Sequence, residues 1–127
     1  MTRAVLDASA VLAMLREEPG AEAVLEALPG AVISAINLAE VVTKLIDKGR
    51  TPQDAADIVE DLPCEIGAAD RAAAIRAGML HASLRKRDIS LADSFCLALA
   101  AAEQAPVLTA DRAWAALGLD LEVQLIR

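Results

Sequence analysis

Short apolar runs alternate with longer amphipathic stretches along the chain. The runs hold three to five apolar residues each and are predicted to be strands, whereas the stretches between them have the spacing of helices. Strands and helices that alternate in this way are typical of an α/β sandwich, in which a mostly parallel sheet is covered on both faces. The predicted strands are residues 3–6, 31–33, 62–66, 106–109 and 121–125.

Helix boundaries are marked by residues suited to helix ends. Ser34, Thr51 and Ser90 are predicted N-caps, and Pro52 follows Thr51 at the first helical position. With no repeats or linkers between these elements, residues 1–127 are predicted to form a single domain. The predicted helices are one from residue 8 that Pro19-Gly20 interrupts, one ending near 29–30, then 35–48, 52–61, 68–84 and 91–104, and a short one holding Trp114.

Composition limits the class of protein. Of the 127 residues, 56% are hydrophobic and only Trp114 and Phe95 are aromatic, so the core must be aliphatic. The longest uncharged run, residues 27–39, is shorter than the ~20 residues of a membrane span. The first apolar run is too short for a signal peptide. Cys64 and Cys96 are isolated, which favours reduced core residues. We therefore expect a soluble, cytoplasmic protein that does not contact a membrane.

Three acidic residues fall at one predicted edge of the sheet. In a parallel sheet every strand ends, and every following helix begins, at the carboxyl edge, where such folds bind their ligands. Asp7 directly follows the first strand, Asp111 lies two residues past the fourth, and Asp93 lies in the first turn of the helix capped by Ser90. Each also has a purely structural interpretation, because Asp7 and Asp111 are possible N-caps and Ser90-x-x-Asp93 fits a capping box.

Clustered carboxylates indicate a particular chemistry. They repel one another unless a cation neutralises them, and ligand sets made only of oxygen favour Mg²⁺ or Mn²⁺ over zinc. Such ions support phosphoryl chemistry without a histidine base, and His81 lies mid-helix, away from the predicted edge. Ser9 and Thr109 lie beside acids at this edge and are candidates for supporting hydroxyls or for local caps.

The net charge of the chain indicates which kinds of partner it can bind. A net charge of −7 argues against nucleic acid, which normally binds a basic surface. Four acids around one cation would account for more than half of that charge, and the basic residues are grouped. Such groups also occur at solvated helix ends, so both interpretations stay open. The groups are Lys44, Lys48 and Arg50, and Arg85, Lys86 and Arg87.

Four segments in order resemble the PIN domains, and among them the VapC-like toxins of toxin–antitoxin pairs. They are residues 5–9 (VLDAS), 34–40 (SAINLAE), 91–100 (LADSFCLALA) and 108–114 (LTADRAW). The resemblance implies a three-layer α/β/α sandwich with a central, mainly parallel five-stranded sheet. It also implies an Mg²⁺- or Mn²⁺-dependent endoribonuclease that cleaves RNA, forms a homodimer and is inhibited by a cognate antitoxin.

The resemblance also assigns the site. It places the acidic quartet at Asp7, Glu40, Asp93 and Asp111, with Asp7, Asp93 and Asp111 as the main metal ligands and Ser9 and Thr109 as supporting hydroxyls. Glu40 is assigned to the site by the resemblance alone. On a helical wheel it lies nearly opposite the apolar face of its helix, which predicts a solvated side chain.

Two other functions are compatible with the same residues. A phosphatase could use Asp7 as a nucleophile, although such enzymes typically carry a second aspartate two residues later, where this chain has Ser9. A catalytically silent module of the same fold would bind a partner and no metal. The RNA target, the antitoxin and the number of metal ions are not determined by the sequence.

Overall fold

The computed structural model describes residues 3–127, in which five strands form one sheet. The strand order is β3-β2-β1-β4-β5, and every neighbouring pair is parallel. The carboxyl ends of all five strands therefore lie at the same edge. The strands are β1 (Val5–Leu6), β2 (Val32–Ser34), β3 (Glu65–Gly67), β4 (Val107–Thr109) and β5 (Val123–Leu125).

Helices cover both faces of this sheet. Leu6, Ile33 and Leu108 point into one core, and their chain neighbours Val5 and Val32 point into the other. This alternation produces three layers and confirms the predicted α/β/α sandwich with a five-stranded sheet. The helices are α1 (Ala8–Leu15), α2 (Ala21–Ala27), α3 (Ala35–Asp47), α4 (Pro52–Glu60), α5 (Arg71–Ser83) and α6 (Leu91–Glu103), and a 3₁₀ helix spans Arg112–Ala116.

The predicted N-caps are present. The hydroxyls of Ser34, Thr51 and Ser90 each accept a hydrogen bond from the backbone N–H three residues later. These bonds satisfy N–H groups that have no partner inside the helix, which explains why α3, α4 and α6 begin where they do.

The predicted first and last strands each began two residues too early, and two other predicted elements began three residues too early. The third strand was expected at 62–66 but spans Glu65–Gly67, because Pro63 has no N–H to donate and Leu62 packs instead against the core beside α4. The following helix was expected from about residue 68 but begins at Arg71, because the Asp70 side chain caps it by accepting from the N–H of Ala73.

The two cysteines are unpaired, as expected, and Cys96 is fully buried. His81 is half-buried on α5, where its Nδ1 lies 3.3 Å from the Ser94 hydroxyl, and it does not line the cleft that holds the four acids. No helix within residues 3–127 has both the length and the hydropathy needed to cross a bilayer.

Candidate active site

The four acids of the predicted quartet line one cleft, which has a volume of about 290 Å³. The cleft opens at the carboxyl edge of the sheet, where the chain leaves β1 and β4 and enters α6. It also follows the helix that leaves β2, since Glu40 on α3 belongs to its wall. The topology therefore brings together carboxylates that are up to 104 positions apart in the sequence, namely Asp7, Glu40, Asp93 and Asp111.

Asp7 is the most buried member of the quartet, with 5% of its surface exposed. Its Oδ2 atom accepts two hydrogen bonds, at 2.7 Å from the Ser9 hydroxyl and at 2.8 Å from the Thr109 hydroxyl. Both hydroxyls donate to the same carboxylate oxygen, so they hold the side chain in one orientation at the floor of the cleft.

Burial also raises the pKa of Asp7 from 3.8 to about 6, because the anion is less stable away from water. The hydrogen bonds from Ser9 and Thr109 favour the anion and partly oppose this shift. The negative charges of Asp93 and Glu40 act in the same direction as burial. A cation in the cleft would stabilise the charged form of Asp7 directly.

Ser9 and Thr109 also shape the backbone around the acids. The Ser9 hydroxyl accepts from the N–H of Ala110 at 2.9 Å, and the Thr109 hydroxyl accepts from the N–H of Asp111 at 3.0 Å. The two side chains therefore fasten the end of β4 to the start of α1. Both interpretations of these hydroxyls, local capping and support of a carboxylate, describe the same set of bonds.

Glu40 differs from the helical-wheel prediction. It is half-buried, and its Oε1 atom accepts a hydrogen bond at 2.9 Å from the Nδ2 atom of Asn37. The wheel describes one isolated helix, whereas α3 packs beside α6 at this point. The side expected to face solvent thus forms part of the cleft wall.

Asn37 is a site residue that sequence reasoning missed. It is completely buried, and its amide also donates to the carbonyl of Ala92 at 3.1 Å while accepting from the Ser34 hydroxyl. It therefore links α3 to the first turn of α6. A signal was available, since Asn37 is a polar residue one turn before Val41 on the apolar face of α3.

Asp93 and Asp111 have the structural bonds expected of capping residues. Asp93 Oδ2 accepts from the N–H of Ser90 at 3.2 Å, which completes the capping box, and Asp111 Oδ1 accepts from the N–H of Ala113 at 3.0 Å. Asp93 is half-buried and Asp111 is exposed. The capping interpretation and the site interpretation hold together, because the same side chains both cap and line the cleft.

The bonding pattern is the same for all four carboxylates. Within residues 3–127, each uses one oxygen to accept the hydrogen bonds that orient it, and the second oxygen accepts none. As the side chains stand, no three acidic, histidine or cysteine groups of this part of the chain are arranged closely enough to hold a metal ion. The donor type nevertheless fits a hard divalent cation, since all the available ligands are carboxylate oxygens.

Three cationic side chains also line the cleft. The sequence analysis did not predict that they lie together. They are Arg16, Lys44 and Arg127. Arg127 pairs with Glu18 at 3.1 Å and donates to the Pro19 carbonyl, so its charge is already compensated. Of the predicted basic groups, Lys44 alone lines the cleft. Arg87 instead donates to the carbonyl of Ala116.

Several solved structures share this fold over nearly the full chain. A chain of the DNA-bound VapBC structure from Salmonella typhimurium is 19% identical, covers 100% of both chains and has a TM-score of 0.76. A chain of VapBC-1 from nontypeable Haemophilus influenzae is 21% identical with 98% of each chain covered and a TM-score of 0.74. The Sarcin-Ricin loop cleaving toxin VapC20 of Mycobacterium tuberculosis is 18% identical, with 91% of this chain and 95% of that chain covered and a TM-score of 0.75.

Sequence comparison gives the family. None of the curated proteins matches this chain significantly. The family model described as the PIN domain, however, matches residues 4–119, which include all four acids, both supporting hydroxyls and Asn37. Together with the five-stranded parallel sheet, this match confirms the resemblance seen in the four sequence segments. The chain belongs to the PIN domain family.

Proposed function

We propose that this protein is a metal-dependent endoribonuclease that hydrolyses RNA phosphodiester bonds and acts as the toxin of a type II toxin–antitoxin system. The observation that carries the proposal is the convergence of four carboxylates, each oriented through one oxygen, on one cleft of a PIN domain. A site that offers only carboxylate oxygens suits a hard cation and phosphoryl chemistry.

Asp7, Asp93 and Asp111 would hold Mg²⁺ or Mn²⁺ in this proposal. When bound, the ion would lower the pKa of a coordinated water and neutralise charge on the phosphate oxygens. The hydrogen bonds from the Ser9 and Thr109 hydroxyls would hold the Asp7 carboxylate in one orientation. Because its pKa is about 6, Asp7 is mostly charged at neutral pH, and the ion would have to displace its proton only at lower pH.

Glu40 would complete the site or orient the attacking water. Its Oε1 atom is occupied by the Asn37 amide, so its second oxygen is the one available to accept a proton or a hydrogen bond from water. Asn37 links the Glu40 side chain on α3 to the carbonyl of Ala92, which directly precedes Asp93 on α6. No histidine takes part in this proposal, since His81 on α5 contacts the hydroxyl of Ser94 on α6.

The partners in this proposal follow the proteins of similar fold. The matching structures from Salmonella typhimurium and Haemophilus influenzae are VapBC structures, and another match is a toxin–antitoxin complex from Klebsiella pneumoniae. By extension, this chain would form a homodimer in the cytoplasm and be held inactive by a cognate antitoxin. Its substrate would be single-stranded or loop RNA, in which the phosphodiester is accessible to the cleft.

The test is cleavage of a panel of structured and unstructured RNAs with Mg²⁺ or Mn²⁺ and with EDTA. Asp93→Asn and Asp7→Asn should each abolish cleavage that EDTA inhibits while leaving the circular dichroism spectrum unchanged. Asp120→Asn is the matched control, because Asp120 is an exposed aspartate outside the cleft, and it should cleave like the original protein. Cleavage that survives in Asp93→Asn would refute the proposal.

Two further measurements separate the alternative functions. Calorimetry that shows no binding of Mg²⁺ or Mn²⁺ at millimolar concentrations would favour a silent binding module. Trapping of a phosphorylated Asp7 would favour a phosphatase. The nuclease proposal expects ion binding that Asp7→Asn abolishes, and no phosphorylated intermediate.

A further inference from the structure

Arg16 has a property that the proposed catalytic residues do not explain. It follows α1 as the C-cap residue, it is half-buried, and it lines the acidic cleft. Its Nη2 atom is buried and has no hydrogen-bond partner. Within the part of the chain from residue 3 onward, its side chain also forms no ion pair, although five carboxylates, the quartet and Glu18, line the same cleft.

A guanidinium group with a buried N–H donor that has no acceptor is unfavourable in the protein by itself. The group always carries its charge and has five N–H donors, and a buried donor without an acceptor costs free energy. Arg127 shows how this chain compensates an arginine in the same cleft, because it pairs with Glu18 and the Pro19 carbonyl. Arg16 lacks both kinds of partner, so its position is better suited to an acceptor that comes from outside.

The position of Arg16 indicates which acceptor. The cleft is lined by Ala8, Leu12 and Arg16, which lie four positions apart on one side of α1, and by Glu40 and Lys44 in the same relation on α3. The cleft therefore runs along both helices, from the carboxylates at the sheet edge to cations further along. Asp7 and Arg16 are nine positions apart, roughly 13 Å along a helix axis, whereas Lys44 is one turn beyond Glu40.

We infer that Arg16, with Lys44 opposite, forms a binding site for an RNA phosphate that flanks the phosphodiester at the acidic cluster. This inference rests on the proposed function and adds a substrate contact to it. A guanidinium group matches the paired oxygens of a phosphate, whereas an ammonium group acts as a point charge. Arg16 is thus the main contact, and the exposed Lys44 the weaker one. The site would place two positive charges along the cleft of a chain whose net charge is −7.

The first test measures binding to RNA that cannot be cleaved. The probe is a fluorescein-labelled 12-residue oligonucleotide of 2′-O-methyl RNA, titrated with Mg²⁺ present at several salt concentrations. Arg16→Gln should weaken binding on the order of tenfold and should reduce the slope of log Kd against log salt by roughly 0.7, the value for one lost phosphate contact on a single strand. Arg71→Gln, at an exposed arginine on α5 outside the cleft, should change neither quantity.

The second test locates the phosphate on the RNA. Oligonucleotides are prepared with one uncharged methylphosphonate linkage, moved one position at a time along the strand. For the original protein one linkage beside the cleavage position should weaken binding, and for Arg16→Gln the same linkage should have no further effect. If every linkage acts equally on both proteins, the inference is overturned. It is also overturned if Arg16→Gln loses only a partner protein with an acidic segment and binds RNA normally.

Thermal unfolding without RNA distinguishes a contact with substrate from a structural role. Because Arg16 has no partner among residues 3–127, Arg16→Gln should melt within about 2 °C of the original protein. Arg16→Lys serves if the glutamine variant does not fold, and it should restore the salt slope but only part of the affinity. Cleavage by Arg16→Gln with unchanged KM would overturn this inference alone, whereas loss of all cleavage by the original protein would overturn the proposed function.

Discussion

Replacing Asp7 by asparagine should stabilise the metal-free protein at neutral pH. The carboxyl group is 5% exposed, and burial raises its pKa from 3.8 to about 6. Asparagine has nearly the same shape and keeps an oxygen that can accept from Ser9 and Thr109. It carries no charge, so it avoids both the burial of an anion and repulsion by Asp93 and Glu40.

The sign and size of this effect follow from the two pKa values. The native protein holds the Asp7 proton more tightly than the unfolded chain does, so the contribution of this group to stability is fully present below pH 3.8. It is lost as the pH rises through about 6. The shift corresponds to about 3 kcal/mol of unfolding free energy. In a chain of this size, that change is on the order of 10 °C in melting temperature.

The assay is thermal unfolding in EDTA at about pH 7.5 and about pH 4.5, with Asp120→Asn as the control. Asp7→Asn should melt well above the original protein at the higher pH, and the difference should shrink at the lower pH because the original protein is then protonated at Asp7. A variant that is no more stable at the higher pH, or that is equally stabilised at both, would refute the reasoning.

Adding Mg²⁺ extends the same experiment to the proposed site. A ligand that binds only the native state increases the free energy of unfolding. Above Kd, the increase grows with the logarithm of the ligand concentration. Mg²⁺ should therefore raise the melting temperature of the original protein and leave Asp7→Asn unchanged, so that the gap between them narrows. If the ion stabilises both proteins equally, Asp7 is not one of its ligands.

Three other substitutions test individual contacts. Asn37→Ala should lower stability by about 2 kcal/mol in urea denaturation and should reduce RNA cleavage, because Glu40 loses the amide that orients it; an unchanged urea midpoint would contradict this. Gly20→Ala should cost about 2 kcal/mol or more, since Gly20 has φ +98° and an added Cβ would lie 2.5 Å from the Ile126 carbonyl oxygen; a melting temperature equal to that of the original protein would refute the contact. Ser90→Ala should cost about 1 kcal/mol in thermal unfolding through loss of the capping box, whereas no loss would mean that the cap is dispensable.

Element types were predictable because their signals are local. An N-cap such as Ser34 or Thr51 bonds to a backbone group three residues away, so the residues that define the helix start are adjacent in the sequence. The alternation of Val5 and Leu6, or of Val32 and Ile33, likewise assigns neighbours to opposite faces of the sheet. The parallel direction of the strands followed from the alternation of strands with helices, whereas their order in the sheet was not predicted.

The exact limits of β3 and α5 were not predictable in the same way. Glu65 begins β3 because its N–H donates to the carbonyl of Ala31, the residue before β2, a contact between residues far apart in the chain. Apolar character in residues 62–66 reports burial, and Leu62 is buried against a helix rather than paired in the sheet. Burial and strand pairing are separate properties, and the hydrophobic pattern records only the first.

The candidate site also has features that the sequence predicts and features that depend on how the helices pack. Sequence alone determined that Asp7, Asp93 and Asp111 share the carboxyl edge, because in a parallel sheet chain order specifies which ends of strands and helices meet there. Glu40 was placed with them by the family resemblance, and the tertiary structure decided which neighbours bring it to the cleft. Only the tertiary structure decided that Asn37 orients Glu40 and that Arg16, within residues 3–127, lies unpaired along the same cleft. Helical periodicity describes which side chains share a face of one helix. It cannot show what lies opposite that face, because this depends on how α1, α3 and α6 pack against the sheet and one another.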